Sequence, residues 1–115
     1  MFPISRNAMY HSYILPMLPN NQAEKFIDEA RYFTIDWTAN IGSDNITSVT
    51  SVTISPSGLT INSGSTVISG KILSLWFNAD GVIGTNHVVY PVLLTSSGQT
   101  VAGTFRMLVK GNVQP

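Results

Sequence analysis

From Arg31 to Lys110, apolar and polar residues alternate with a period of two, in short runs divided by turn residues. That rhythm predicts β-strands. Tyr32–Thr38 places Phe33, Ile35 and Trp37 on one face and Thr34 and Asp36 on the other. Ile46–Ser55 is rich in Thr, Ser and β-branched residues, aligns Val52 with Ile54, and stops at the turn Pro56-Ser57-Gly58. Two short strands follow, Leu59–Ile61 and Thr66–Ile68, separated by Asn62-Ser63-Gly64-Ser65. Lys71–Asn78 aligns Leu73, Leu75 and Phe77 and leaves Ile72, Ser74 and Trp76 opposite. His87–Thr95 and Thr100–Lys110 pair as a hairpin over Ser96–Gln99, the second strand aligning Phe105, Met107 and Val109. About seven short strands with no helical period between them predict an all-β fold, an immunoglobulin-like Greek-key β-sandwich.

Residues 1–26 follow another pattern. They are rich in Pro, Asn, Met and Tyr without a sustained period, and the prolines favour extended backbone. The apolar side chains are too many for a solvated linker, so the segment reads as an extended N-terminal docking arm. A helical turn is predicted over Gln22–Ala30, with Asn20 or Asn21 as its cap. The division is therefore an arm at 1–26, a sandwich at 27–111 and a C-terminal tail at 112–115.

The strand His87–Leu94 is apolar on both faces. With Val89 and Leu93 inward, Val88, Tyr90, Val92 and Leu94 point outward, where an antiparallel sandwich is normally polar. Ile72, Trp76 and Leu108 project outward by the same rule, and the strands are expected close enough to merge these residues into one patch. A bulge at Pro91 that reverses the register is the alternative. The candidate partner-binding residues are Phe2, Tyr10, Tyr13, Ile14, Leu15 and Met17 in the arm, and Ile72, Trp76, Val88, Tyr90 and Val92 in the sandwich.

Charge sharpens this picture. Only 10% of residues are charged, six basic and six acidic, against about 25% in an ordinary domain. Asn45–Gly70 carries no charge at all and is rich in Ser and Thr. Such a surface is cheap to desolvate against another protein. No basic cluster is present to hold phosphates, so nucleic acid is not an expected partner. The apolar stretch near Tyr13–Leu18 is too short and proline-broken for a signal core or a bilayer span, so no membrane is expected either.

Catalytic chemistry finds no foothold. There is no cysteine, and the two histidines, His11 and His87, stand apart from any second metal ligand. Gly64–Lys71 has the wrong spacing for a phosphate loop, and no nucleophile elbow occurs. No catalytic residue, metal or cofactor is expected, and a binding or assembly role is favoured.

Several short motifs in order resemble a known family. They are Phe33-x-Ile35-Asp36-Trp37-Thr38, Asp44-Asn45-Ile46-Thr47-Ser48, Gly58-Leu59-Thr60, Leu75-Trp76-Phe77, Gly84-Thr85 and Thr95-Ser96-Ser97-Gly98-Gln99, leading to Phe105-x-Met107-x-Val109. Together they look like the phage fiber–tail adaptors, small immunoglobulin-like virion proteins of tailed phages. The sequence departs at His87, where the family usually has Tyr, at Gln99 for the common Arg, and in a 77–84 loop one residue longer. The resemblance implies a structural virion protein connecting tail fibers or spikes to the tail, without catalysis. Its implied partners are other phage tail proteins, fiber and tail tube or tail adaptor, with multiple copies in the virion and synthesis in the host cytoplasm. The competing reading is a virion decoration or carbohydrate-binding module, with Trp76 and Tyr90 stacked on a sugar between Asn78 and Asn86.

Overall fold

The computed structural model describes residues 14–16 and 22–111. They form nine strands: β1 Ile14–Pro16, β2 Gln22–Phe26, β3 Arg31–Asp36, β4 Ile46–Ser55, β5 Ile61–Ser69, β6 Ile72–Phe77, β7 Asn86–Thr95, β8 Thr100–Ala102 and β9 Phe105–Lys110. One helical turn, α1 Thr38–Ile41, links β3 to β4. One sheet runs β1-β3-β6-β5; the other runs β2-β9-β7-β4, with β8 also on β7. The chain crosses between the layers after β1, β2, β3, β4 and β6, while β5–β6 and β7–β8–β9 stay within one layer each.

Alternation puts the core where the sequence predicts it. Phe33, Ile35 and Trp37 meet Leu73, Leu75 and Phe77 from β6 and Val89, Leu93, Phe105, Met107 and Val109 from the facing sheet, all buried. The rings of Phe33 and Phe77 pack edge to face at 5.5 Å, and Phe77 reaches Phe105 at 6.4 Å. The first contact lies within the four-stranded sheet and the second spans the two layers, which hold together without a disulfide.

Two strands break the simple period for local reasons. In β4 the inward residues Ile46, Val49, Val52 and Ile54 are spaced three, three and two apart. Each step of three carries a register shift, one between Ile46 and Ser48 and one between Val49 and Ser51. A bulged residue keeps the next valine inward. In β7 the alternation runs unbroken through Pro91, which is buried opposite Val52. The Pro91 carbonyl accepts from Gly103 N–H at 3.2 Å, so its missing N–H faces the gap between β8 and β9. The register reversal is thus not what happens.

Two other expectations are corrected. Gln22–Ala30 is not helical: Gln22–Phe26 pairs in parallel with Arg106–Lys110, burying Ala23 and Lys25 on its inner side. Residues 22–26, read as part of the arm, are a strand of the five-stranded sheet. The segments Leu59–Ile61 and Thr66–Ile68 are not two strands: Ile61–Ser69 is one strand, irregular between Asn62 and Val67, and Leu59-Thr60 precedes it.

Candidate functional site: two outer faces and the clasps that position them

The motif residues act within the fold. At one end, Asp44 accepts from the Thr95 hydroxyl at 2.8 Å and from the Ser97 hydroxyl, while Asn45 N–H donates to Ser96 Oγ at 3.0 Å. Lys71 Nζ donates to the Asp44 carbonyl at 3.0 Å and to Asn45 Oδ1 at 3.2 Å. These bonds join the turn before β4 to the β7–β8 hairpin. The Ser97 and Thr95 hydroxyls hold the Asp44 carboxyl below its ordinary value. Asp36 is held low likewise by the hydroxyl and N–H of Thr38, the first residue of α1.

At the other end, Asp80 accepts from Thr60 N–H at 3.0 Å and from the Thr60 hydroxyl, and Asn78 donates to that hydroxyl at 2.8 Å. His87 is buried between two backbone partners: Nε2 accepts from Val82 N–H at 3.2 Å, so Nδ1–H donates to the Pro56 carbonyl at 2.8 Å. Both ring nitrogens are engaged. Lys25 is also buried, donating to the carbonyls of Phe26 and Glu29 at 3.0 and 3.1 Å. Burial pushes its ammonium below the ordinary value, against the pull of Asp80, Glu29 and Asp28. Among the described residues no group of three His, Asp or Glu is placed to hold a metal ion.

The outward apolar residues divide between two faces. Val88, Tyr90 and Val92 lie on β7, outside the five-stranded sheet, beside Ser55, Thr53 and Ser51 of β4. Tyr90 is 43% exposed. Leu108 lies two strands from β4, paired with Asn86 of β7 and Glu24 of β2, and the Glu24–Lys110 ion pair at 3.0 Å borders it. This face is an apolar stripe between a column of hydroxyls and a charged margin.

Ile72 and Trp76 lie on β6, outside the other sheet. Trp76 sits edge to face with Tyr32 at 4.9 Å, and Tyr32 donates its hydroxyl to the Ser65 carbonyl at 2.8 Å. The single patch expected from the sequence is therefore wrong. Strand alternation says which side chains leave the core; it does not say which layer they leave from. The sugar platform built on Trp76 and Tyr90 fails for the same reason, and Asn78 is already bonded to Thr60.

Of the arm residues, Ile14 and Leu15 lie in β1, paired in parallel with Thr34 and Ile35. Phe2, Tyr10, Tyr13 and Met17 fall outside the described residues. The sequence reading missed the hollow between the edge strands β4 and β5, of about 430 Å³, lined by Val49, Val52, Ile61 and Ile68 among Ser and Thr side chains. Its signal was the uncharged stretch Asn45–Gly70.

Residues 25–108 match the family model described as Podophage GP4 fiber-tail adaptor protein gp77. A search of curated proteins gives no match.

Proposed function

This chain belongs to the podophage GP4 fiber-tail adaptor family, and from that premise we propose that it bridges two tail components through the two outer faces of its sandwich. The observation that carries the reading is the separation of the outward-facing aromatic residues onto opposite layers, exposed Tyr32 and half-buried Trp76 on one and exposed Tyr90 on the other. An adaptor must hold two partners at once, and two outward faces divided by a packed core do so without steric conflict. Lys71, between β5 and β6, donates to Asp44 and Asn45 ahead of β4 and ties the two layers together, so a load on one face is transmitted to the other. The role is structural and non-catalytic, and the arm residues Phe2, Tyr10, Tyr13, Ile14, Leu15 and Met17 add a third contact.

The test uses phage carrying Trp76→Asp or Tyr90→Asp, each with its purified chain checked for folding. Particles are analysed by mass spectrometry for this chain and for the fiber. The expected result is asymmetric: one substitution lowers the chain itself in particles, the other leaves the chain and lowers the fiber. Normal amounts of both proteins in both variants would remove the two-face reading.

A further inference from the structure

The outer face of the five-stranded sheet carries a charge that the chain leaves unmatched. Its outward side chains fall into rows across the strands: Ser55, Val88, Arg106 and Gln22 in one, Asn86, Leu108 and Glu24 in the next. Tyr90 and Val92 continue the apolar stripe along β7, beside Thr53 and Ser51. Glu24 is taken by Lys110 at 3.0 Å. Arg106 is exposed, and its side chain has no ion-pair or hydrogen-bond partner among the described residues.

Arg106 stands directly opposite Val88 on the neighbouring strand, and adjacent strands lie about 5 Å apart. Anything that covers Val88, Tyr90 and Val92 therefore covers the guanidinium as well. A charge stripped of water without a counter-charge destabilises the contact that buries it. A carboxylate cancels that charge and fits the planar fork with both oxygens. A single cation in an apolar setting suits an acidic side chain of a protein and not a run of phosphates.

The chain itself brings no free acid to this place. All six acidic side chains lie among the described residues, and each is already engaged. Glu24 holds Lys110, Glu29 holds Arg31, and Asp28 acts on the Lys25 ammonium. Asp36 is bonded to Thr38, Asp44 to Thr95 and Ser97, and Asp80 to Thr60. Residues 1–21 and 112–115 contain no acidic side chain. Neither the arm of the same chain nor a second copy offers an unengaged Asp or Glu to Arg106. We propose that the outer face of β7 and β9 receives a different protein, one presenting an Asp or Glu to Arg106 and apolar side chains to Val88, Tyr90 and Val92. The inference rests on the two-face reading above and names what the Tyr90 face selects. A partner without the acid is rejected because it strands a covered charge.

The test uses phage particles whose chain carries Arg106→Lys, treated with a carbodiimide. The reagent joins an ammonium to a touching carboxylate as an amide, with loss of water. Mass spectrometry of the digested particles identifies the acid. The expected product links position 106 to an Asp or Glu of another tail protein. Links from position 106 only to acids of this chain, or no link there at all, would overturn the proposal. Arg106→Met keeps the side chain's length and removes its charge. It should repeat the defect of Tyr90→Asp, lowering the affected protein in particles about tenfold, the effect of ~1.4 kcal/mol lost at the contact. Its purified chain should keep the urea midpoint, because Arg106 is exposed and unpaired. Normal particles from Arg106→Met would equally overturn the proposal. If Trp76→Asp and Tyr90→Asp behave as expected but position 106 finds no foreign acid, the two-face reading stands and this inference falls. A foreign link at position 106 with normal particles from Trp76→Asp keeps the inference and leaves the second face without a partner.

Discussion

Asp44 and Thr95, far apart in sequence, are joined by a 2.8 Å hydrogen bond from the Thr95 hydroxyl to the Asp44 carboxylate. Ser97 donates to the same oxygen. Because these bonds favour the charged form, the folded carboxyl lies below the unfolded value of 3.8. The stabilisation is complete above that value and is lost as pH falls below it through the folded value. Urea midpoints measured from pH 6 down to pH 2.5 should therefore drop, and Asp44→Asn should flatten part of the drop. The remainder belongs in part to Asp36, held low by Thr38. An unchanged acid limb in Asp44→Asn would show that the clasp does not stabilise the fold through its charge.

Lys25 predicts the opposite limb. Burial lowers its folded value below 10.5, so the protonated form is penalised by folding. The penalty is complete below the folded value and is relieved as pH rises from there to 10.5. Stability should climb over that alkaline window, and Lys25→Met should remove the climb. Denaturation midpoints at pH 7 and pH 10 for both chains decide the matter. An equal slope in the variant would place the alkaline effect elsewhere.

The same lysine explains why β2 was hidden in the sequence. Alternation calls for an apolar partner to Ala23, but Lys25 occupies the inner position, its charge met by backbone carbonyls. With Glu24, Asp28 and Glu29 around it, the segment reads as an exposed helical turn. In β5, Asn62-Ser63-Gly64-Ser65 has turn chemistry, yet the ladder with β6 resumes beyond it, and one strand was read as two. The core strands were legible because Phe33 and Ile35 of β3 and all the inward positions of β6 and β9 are apolar at a strict period of two. Assignment to layers was not legible, since it depends on pairings between distant strands.

His87 should be more costly to lose than its place at a strand end implies. Removing the imidazole leaves Val82 N–H and the Pro56 carbonyl without their ring partners and opens a cavity beneath the loops that follow β4 and β6. His87→Ala should destabilise the chain by about 2–4 kcal/mol, read from urea denaturation. A loss under about 1 kcal/mol, within the range of ordinary surface substitutions, would mean that water replaces the ring without cost.

Gly81 marks a close approach that no other residue can make. Its φ is +121°, and a Cβ there would lie 2.6 Å from a methyl of Val109, a core residue of β9. Both the backbone strain and the overlap act in the same direction, so Gly81→Ala should cost about 2–3 kcal/mol. The adjoining Val82 and Ile83, exposed at 46% and 59%, should tolerate polar replacement with far smaller effects. Thermal melts of Gly81→Ala and Ile83→Ser separate the two cases, and equal shifts would show that the loop is not held against β9.

The two aromatic faces should differ in what they contribute to the fold. Trp76 is half-buried and packs on Tyr32, a pair worth about 0.5–1.5 kcal/mol beyond area alone. Tyr90 is 43% exposed among hydroxyl and aliphatic neighbours on β4 and β7. Trp76→Asp should therefore cost about 2–3 kcal/mol, while Tyr90→Asp should cost about 1 kcal/mol or less. Urea denaturation of both purified variants checks the order. This matters for attachment, because a contact surface is one whose loss leaves the free chain folded. If Tyr90→Asp unfolds the chain, the outer face of β7 belongs to the fold and its apolar stripe needs no partner.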